Sequence, residues 1–290
     1  MADEICCIRQ ATEISPIDYQ ESFPFPYNNF IYRISLAHPA TASHFPGVQS
    51  CTGSPADGGV STVVIRLSNP NAEGLSQVNR TENEVAAIHL TRLGLQSDET
   101  RTAKLSDVVP VVYAWHPAGE DTGGFGWLVM DFKPGVALSE VFSELSDERK
   151  RDVIGQLADL FAGVQRAPLP DALKGHYGGG LTITSAGEIV SGRATTSTDG
   201  PWSDLAALWK SKLAAQLKTA DESDLLRGWQ EGGLREAIDE FVCAGIDGLF
   251  EKAGVDVYAQ GLIHGDFSMF CFVLRLFSFV CVCVCVCVPG

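Results

Sequence analysis

Lys133-Pro134-Gly135 divides this chain into two parts with different hydrophobic periods. Proline fixes φ and removes a backbone donor, and glycine admits conformations closed to other residues, so together they end whichever element reaches them. Before the break the apolar residues recur with period two. Asn29-Phe30-Ile31-Tyr32-Arg33-Ile34-Ser35-Leu36 alternates apolar with polar residues. Ser61-Thr62-Val63-Val64-Ile65-Arg66-Leu67 is short and β-branched, bounded by Gly58-Gly59 and Asn69-Pro70, and the two strands can pair as antiparallel neighbours. Residues 109–115 and 126–132 read as two more strands joined by the turn-rich stretch 117–124. One amphipathic helix interrupts them over 81–94, with Val85, Ile88 and Leu93 inward and Gly94 as its stop. Residues 38–59, rich in Ser, Thr, Pro, Ala and Gly, read as a mobile surface insertion.

Beyond the break the pattern is helical. Leu145-Ser146-Asp147-Glu148 is a helix start with Ser146 or Asp147 as N-cap, followed by Val153, Leu157, Leu160, Phe161 and Val164 at helical spacing. Residues 176–192 read as a small hairpin carrying Leu181-Thr182-Ile183 and Glu188-Ile189-Val190, and further helices are predicted around 201–220, 223–229 and 234–253. The fold class expected is α+β in two units: an antiparallel sheet with one helix over 1–131, and a mainly helical unit over 132–266. The remaining 267–290 form a hydrophobic tail, expected to stand outside the fold.

A chain of 290 residues, 45% hydrophobic and 20% charged, can bury a substantial core, which excludes disorder of the whole. Its net charge of −15 carries no basic stripe. An extended nucleic-acid surface, which needs Lys and Arg to neutralise phosphates, is thereby excluded, while a small molecule or nucleotide remains open as a partner. Five cysteines outside the tail repeat, Cys6, Cys7, Cys51, Cys243 and Cys271, are scattered without the spacing of a disulfide framework or a zinc site. Met1-Ala2-Asp3-Glu4 has neither the positive flank nor the apolar stretch of a secretory signal, so a cytoplasmic protein is expected.

Leu262-Ile263-His264-Gly265-Asp266 is followed by a stretch with no Asp, Glu, Asn or Gln, ending in a Val-Cys alternation from Val280 to Val288. A GT dinucleotide repeat translates as Val-Cys, and introns begin with GT, so the tail reads as the product of a gene model that ran past a splice site. The rival reading is a membrane anchor. Residues 269–288 make up about the 20 residues that a bilayer span requires, and the single charge, Arg275, lies near one end where it can snorkel.

Four features stand in a fixed order: a strand with an embedded cation (Arg66), a helix with a carboxylate (Glu84, with Glu82 beside it), a strand ending at the Pro-Gly break, and His-Gly-Asp after a helical unit. This order resembles the aminoglycoside phosphotransferase family, a branch of the protein-kinase-like fold, over roughly residues 20 to 269. The resemblance implies a two-lobed molecule whose helical lobe is cut short just after the catalytic motif. It implies that Arg66 meets the α and β phosphates of ATP and pairs with Glu84. Most members carry Lys in place of Arg66, and arginine is found in some of fungal type.

By the same resemblance, Met130, Asp131, Phe132 and Lys133 form the hinge that meets adenine through backbone groups, and Tyr27-Asn28-Asn29 lies where backbone amides curl over the phosphates. Asp266 becomes the residue that orients or deprotonates the substrate hydroxyl, braced by His264. Family members then place an Asn and a second Asp on magnesium. Here Cys271 stands at the Asn position, a thiol is no ligand for that hard cation, and the second Asp is absent. ATP and Mg2+ are therefore implied as cofactors, with the Mg2+ site incomplete. The function expected is that of an ATP-dependent phosphotransferase relative acting on a hydroxyl of an unidentified small molecule, inactive in this chain. The alternative is a non-catalytic nucleotide-binding or scaffolding pseudokinase, tail-anchored through 269–288. His89, His116 and His176 have no partner at ligand spacing, and Gly200-Pro201-Trp202 and Gly228-Trp229 read as turn and packing elements.

Overall fold

The computed structural model describes residues 6–17, 28–46, 49–72, 74–96, 105–196, 199–254, 256, 260–264, 272–275, 278–281 and 286–287. Five strands, β1 (Ala11–Pro16), β2 (Asn29–Ala40), β3 (Val60–Ser68), β4 (Val112–His116) and β5 (Trp127–Asp131), form an antiparallel sheet in the order β1-β2-β3-β5-β4. The period of two in β3 divides its residues between two cores. Val64 packs with Val112, Leu128, Met130 and the helix α1 (Arg80–Gln96), while Val63 and Ile65 pack on the other face with Ile34, Tyr113, Trp127 and Val129.

The expected amphipathic helix is buried nearly all round. Twelve of the 17 residues of α1 are buried, because the sheet lies on one side and elements from beyond the break lie on the other. Gly94 does not stop the helix. It sits where α1 crosses α3 (Asp147–Gln165), and a Cβ there would come within 2.7 Å of the Gly163 carbonyl and 2.8 Å of the Ala167 Cα. The helix runs on to Gln96, with Leu95 inward and Leu93 turned out to 37% exposure. Glycine here permits close approach of two backbones, which a sequence pattern cannot tell from a helix stop.

The 38–59 segment also differs from the mobile insertion expected. Strand β2 runs through Ala40, and Phe45 is buried with its ring 4.8 Å from that of Tyr113. The Trp115 backbone N–H donates to Gln49 Oε1 at 2.7 Å, the Trp115 indole N–H donates to the Ser50 carbonyl at 3.0 Å, and the Gly53 N–H donates to the Val112 carbonyl at 2.8 Å. The segment thus covers the open edge of β4, where unpaired backbone groups would otherwise invite another strand. A composition of small polar residues gives no sign of such backbone pairing.

After the break come β6 (Val136–Ala137), the short helix α2 (Leu138–Val141) and α3, whose N-cap Ser146 accepts from the Arg149 N–H. The hairpin β7 (Gly180–Ile183) and β8 (Ile189–Gly192) follows as expected, then α4 (Leu205–Asp221), capped by Asp204, α5 (Leu234–Glu240) and α6 (Ile246–Ala253). Four short strands complete the described chain: β9 (Ile263–His264), β10 (Phe272–Arg275), β11 (Ser278–Cys281) and β12 (Val286–Cys287). Strand β10 pairs with β6 and β11, and β12 pairs with β9. Residues 272–275, 278–281 and 286–287 of the tail expected outside the fold are thus paired as strands, consistent with the β-propensity of valine and phenylalanine. Among the described residues no helix is long and apolar enough to cross a membrane.

Two measurements check this packing. Gly94→Ala gains about 1 kcal/mol of helix propensity but pushes a methyl into opposing backbone, an overpacking that costs roughly 1–3 kcal/mol; the clash dominates, and urea unfolding is expected to show a net loss of about 1 kcal/mol. Cys51 lies half-buried in the 38–59 segment, and burial pushes its thiol up to about 11. Since only the thiolate is nucleophilic, Cys51 should resist iodoacetamide at pH 8 while the exposed Cys243 is labelled, and should gain reactivity only as the pH approaches that value.

Candidate functional site

Arg66 and Glu84 meet at the seam between sheet and helix. The Arg66 Nη1 lies 2.6 Å from the Glu84 Oε1, and both residues are buried, at 6% and 9% exposure. Their meeting follows from two local periods. Arg66 shares the α1-facing side of β3 with Val64, and Glu84 stands one helical turn after Arg80, at the start of α1. Arg80 donates to the Asn69 carbonyl at 3.2 Å, to Asn29 Oδ1 at 3.0 Å and to the Asn28 carbonyl, which also accepts from the Asn69 N–H at 3.0 Å. The start of β2, including Asn28-Asn29, is thus held from α1. Arg66, Arg80, Ser68, Thr81 and Glu84 border a cavity of about 10 Å3, room for one water.

Burial pushes the Glu84 carboxyl above its ordinary range, and the Arg66 and Arg80 guanidinium groups pull against it. Glu82, the other carboxylate of this turn, has other neighbours: burial raises it too, and a backbone hydrogen bond and the nearby His116 pull against that rise. Of the two candidates, Glu84 pairs with Arg66.

Met130, Asp131, Phe132 and Lys133, the residues expected to form a hinge, end β5 and begin the connection to β6. Met130, in β5, is buried on the side of the sheet that faces α1. Asp131 accepts from the Val111 N–H at 2.6 Å through Oδ1 and pairs with Lys133 Nζ at 2.7 Å through Oδ2, while Lys133 also donates to the Asp107 carbonyl at 2.8 Å. Phe132 packs against the α1 core beneath the Arg33 guanidinium, 5.8 Å from its ring centre. The polar side chains of Asp131 and Lys133 are engaged in bracing this crossing. An open cleft of about 440 Å3 runs along its outer side, bordered by Ser61, Thr62, Arg92, Tyr113, Asp131 and Lys133.

Gly265, Asp266 and Cys271 lie outside the described residues, as does Tyr27. The backbone of His264 pairs with Val286. The remaining histidines occupy structural or surface positions. His116 stacks on Trp127 with ring centres 6.0 Å apart and lies 3.4 Å from Asp121, while burial and Arg92 push His89 down. His176 is exposed on its loop. Trp202 exchanges two backbone hydrogen bonds with Tyr177, in keeping with a packing role. Among the described residues no group of three or more His, Cys, Asp or Glu side chains could hold a metal ion.

Sequence reasoning missed Asn79 and Asn83. Both are buried at the start of α1, and both bond to backbone groups of the β7–β8 hairpin and the residue after it. Their spacing of four puts them on one helix face, a signal that is visible in hindsight but that also fits a solvated helix start.

Neither a family model nor a curated protein sequence matches the chain. Solved structures similar to it include a thermostable mutant of aminoglycoside phosphotransferase APH(4)-Ia in a ternary complex with AMP-PNP and hygromycin B, at 11% identity over 100% of this chain and 73% of that one, with a TM-score of 0.47. A second structure of aminoglycoside phosphotransferase APH(4)-Ia gives 11% identity, 99% and 71% coverage and a TM-score of 0.45. A protein described as a fructosamine-3-kinase from Haemophilus somnus 129PT gives 15%, 97% and 68%, with a TM-score of 0.46. These likenesses are loose, and the geometry around Arg66 stands without them.

Removing one member of a buried pair leaves the other charge uncompensated. Arg66→Met is expected to cost about 3–5 kcal/mol in urea unfolding, whereas joint Arg66→Met/Glu84→Leu should recover most of that loss.

Proposed function

We propose that this protein binds a nucleoside triphosphate between its sheet and its helical part, as a relative of phosphotransferases that act on a hydroxyl of a small molecule, and that the chain does not itself turn ATP over. The observation that carries this reading is the buried Arg66–Glu84 pair. Two apolar residues of similar volume would serve stability at that seam as well or better, because desolvating both charges offsets most of their attraction. A guanidinium held in place by a carboxylate is, however, a pre-oriented fork for phosphate oxygens. In this reading Arg66 meets the phosphates and Glu84 fixes the fork. Backbone groups of residues 130–133 meet the base, since the Asp131 and Lys133 side chains already bond to the crossing itself.

ATP would supply the transferable phosphoryl group. Asp266 would receive the proton of the acceptor hydroxyl, with His264 bracing its loop; both roles come from the resemblance in sequence. Magnesium fits less well. The described residues offer no cluster for it, and a thiol stands at Cys271 where an amide oxygen is needed. The thiol at Cys271 in place of an amide oxygen is what supports binding without catalysis. A helical membrane anchor is the weaker alternative, because the described parts of 269–288 are strands and one of them pairs with β6.

Calorimetric titration with ATP tests the proposal. The wild-type chain is expected to bind, and Arg66→Met to bind at least about tenfold more weakly, as for truncating one partner of a buried charged contact. Absence of binding by the wild-type chain would overturn the reading. A coupled ADP-release assay with magnesium and a panel of hydroxyl acceptors should stay at background; turnover that disappears in Asp266→Ala would show that some other group holds the metal.

A further inference from the structure

The first turn of α1 is tied on two sides. On one side Glu84 meets Arg66, and Arg80 holds Asn28 and Asn29. On the other side, Asn79 Nδ2 donates to the Leu181 carbonyl at 3.1 Å and to the Arg193 carbonyl at 2.9 Å, and Asn83 Oδ1 accepts from the Leu181 N–H at 2.7 Å. Asn79 and Asn83 are buried, at 3% and 6% exposure, and are themselves joined by the first backbone bond of the helix, Asn83 N–H to the Asn79 carbonyl. Leu181, at the centre of the contact, is fully buried.

The hairpin is shaped to receive these amides. A Cβ on Gly180 would lie 2.9 Å from Asn79 Nδ2 and 3.2 Å from Asn83 Oδ1, and one on Gly192 would lie 2.8 Å from Asn79 Nδ2. Two glycines, paired with each other across the open end of the hairpin, therefore let the backbone lie directly on the asparagines. Apolar side chains at 79 and 83 would fill the space without fixing its register. Two amides that bond to defined backbone groups specify one placement, since a shift of the hairpin by one residue would leave their buried polar atoms without those partners.

We propose that Asn79 and Asn83 are positioning residues: through them the β7–β8 hairpin holds the first turn of α1, and with it Glu84, where Glu84 meets Arg66, so that the hairpin and the ion pair open and close as one unit. The chain of contacts runs from the Leu181 backbone through two amides to a helix turn, and from that turn to the guanidinium on β3. Only the consequence for nucleotide affinity rests on the function proposed above.

Amide hydrogen exchange on the full chain tests the link without any ligand. Asn79→Ala/Asn83→Ala is expected to speed exchange about tenfold or more both in the hairpin and in residues 81–86 of α1, while the β4–β5 pair keeps its wild-type rates. A loosened hairpin beside an unchanged α1 turn would overturn the proposal. Should that variant not fold, the single aspartates decide. Asn83→Asp keeps an acceptor for the Leu181 N–H, whereas Asn79→Asp sets a carboxylate against two carbonyls, so Asn79→Asp should loosen both elements; a hairpin loosened in Asn79→Asp beside an unchanged α1 turn would overturn the link. With ADP as probe, Asn79→Asp should bind more weakly than Asn83→Asp. If wild-type protein binds no ADP, the functional reading fails while the exchange result still decides this one.

Discussion

Two charges placed out of water 2.6 Å apart constrain everything around them. Neither Arg66 nor Glu84 can be buried alone, because a lone buried charge costs several kcal/mol more than any packing around it returns. The strand must therefore present its alternate residues to the helix, and the helix must begin at a point that puts Glu84 one turn inside it. Arg80, from the same turn, fastens the start of β2, so one short stretch of helix fixes the places of two strands.

Burial of α1 on both sides makes this arrangement rigid and couples the two parts of the chain. The sheet covers one side, and α3 and the β7–β8 hairpin cover the other. Two glycines, Gly94 and Gly163, bring the helix backbones together at the α1–α3 crossing, and a side chain on either would meet the opposing helix within 2.7 Å. The helix thus has little room to swing outward without loss of contacts on its far side.

How much of this could be read from the chain depended on whether a residue's role was local. Strands β2 to β5, the Ser146 cap and the β7–β8 hairpin declare themselves through period, cap chemistry and turn residues, all of which act within a few positions, whereas β1 goes unpredicted. Arg66 and Glu84 became candidates through the order of features along the chain, and the structure brings them into contact. What escaped was decided by partners distant in sequence. Gly94 looks the same as a helix stop or as a crossing point until Gly163 is placed against it. Gln49, Ser50 and Gly53 look like loop until they are seen bonded to the edge of β4. Asn79 and Asn83 look like a solvated helix start until the hairpin some hundred residues on supplies their partners.

The alternation in β3 has a further consequence for how the sheet finds its register. Val64 and Arg66 face the helix while Val63 and Ile65 face the core formed with Ile34, Tyr113 and Trp127. A slip that turned β3 over by one residue would exchange valine for valine at the first position with little loss. At the next it would drive a guanidinium into the aromatic side of the sheet and leave a carboxylate stranded in the helix. Arg66 thereby acts as a proofreading mark on an otherwise self-similar Val-Val-Ile run: the apolar residues make the strand stick, and the one charge makes every wrong pairing come apart.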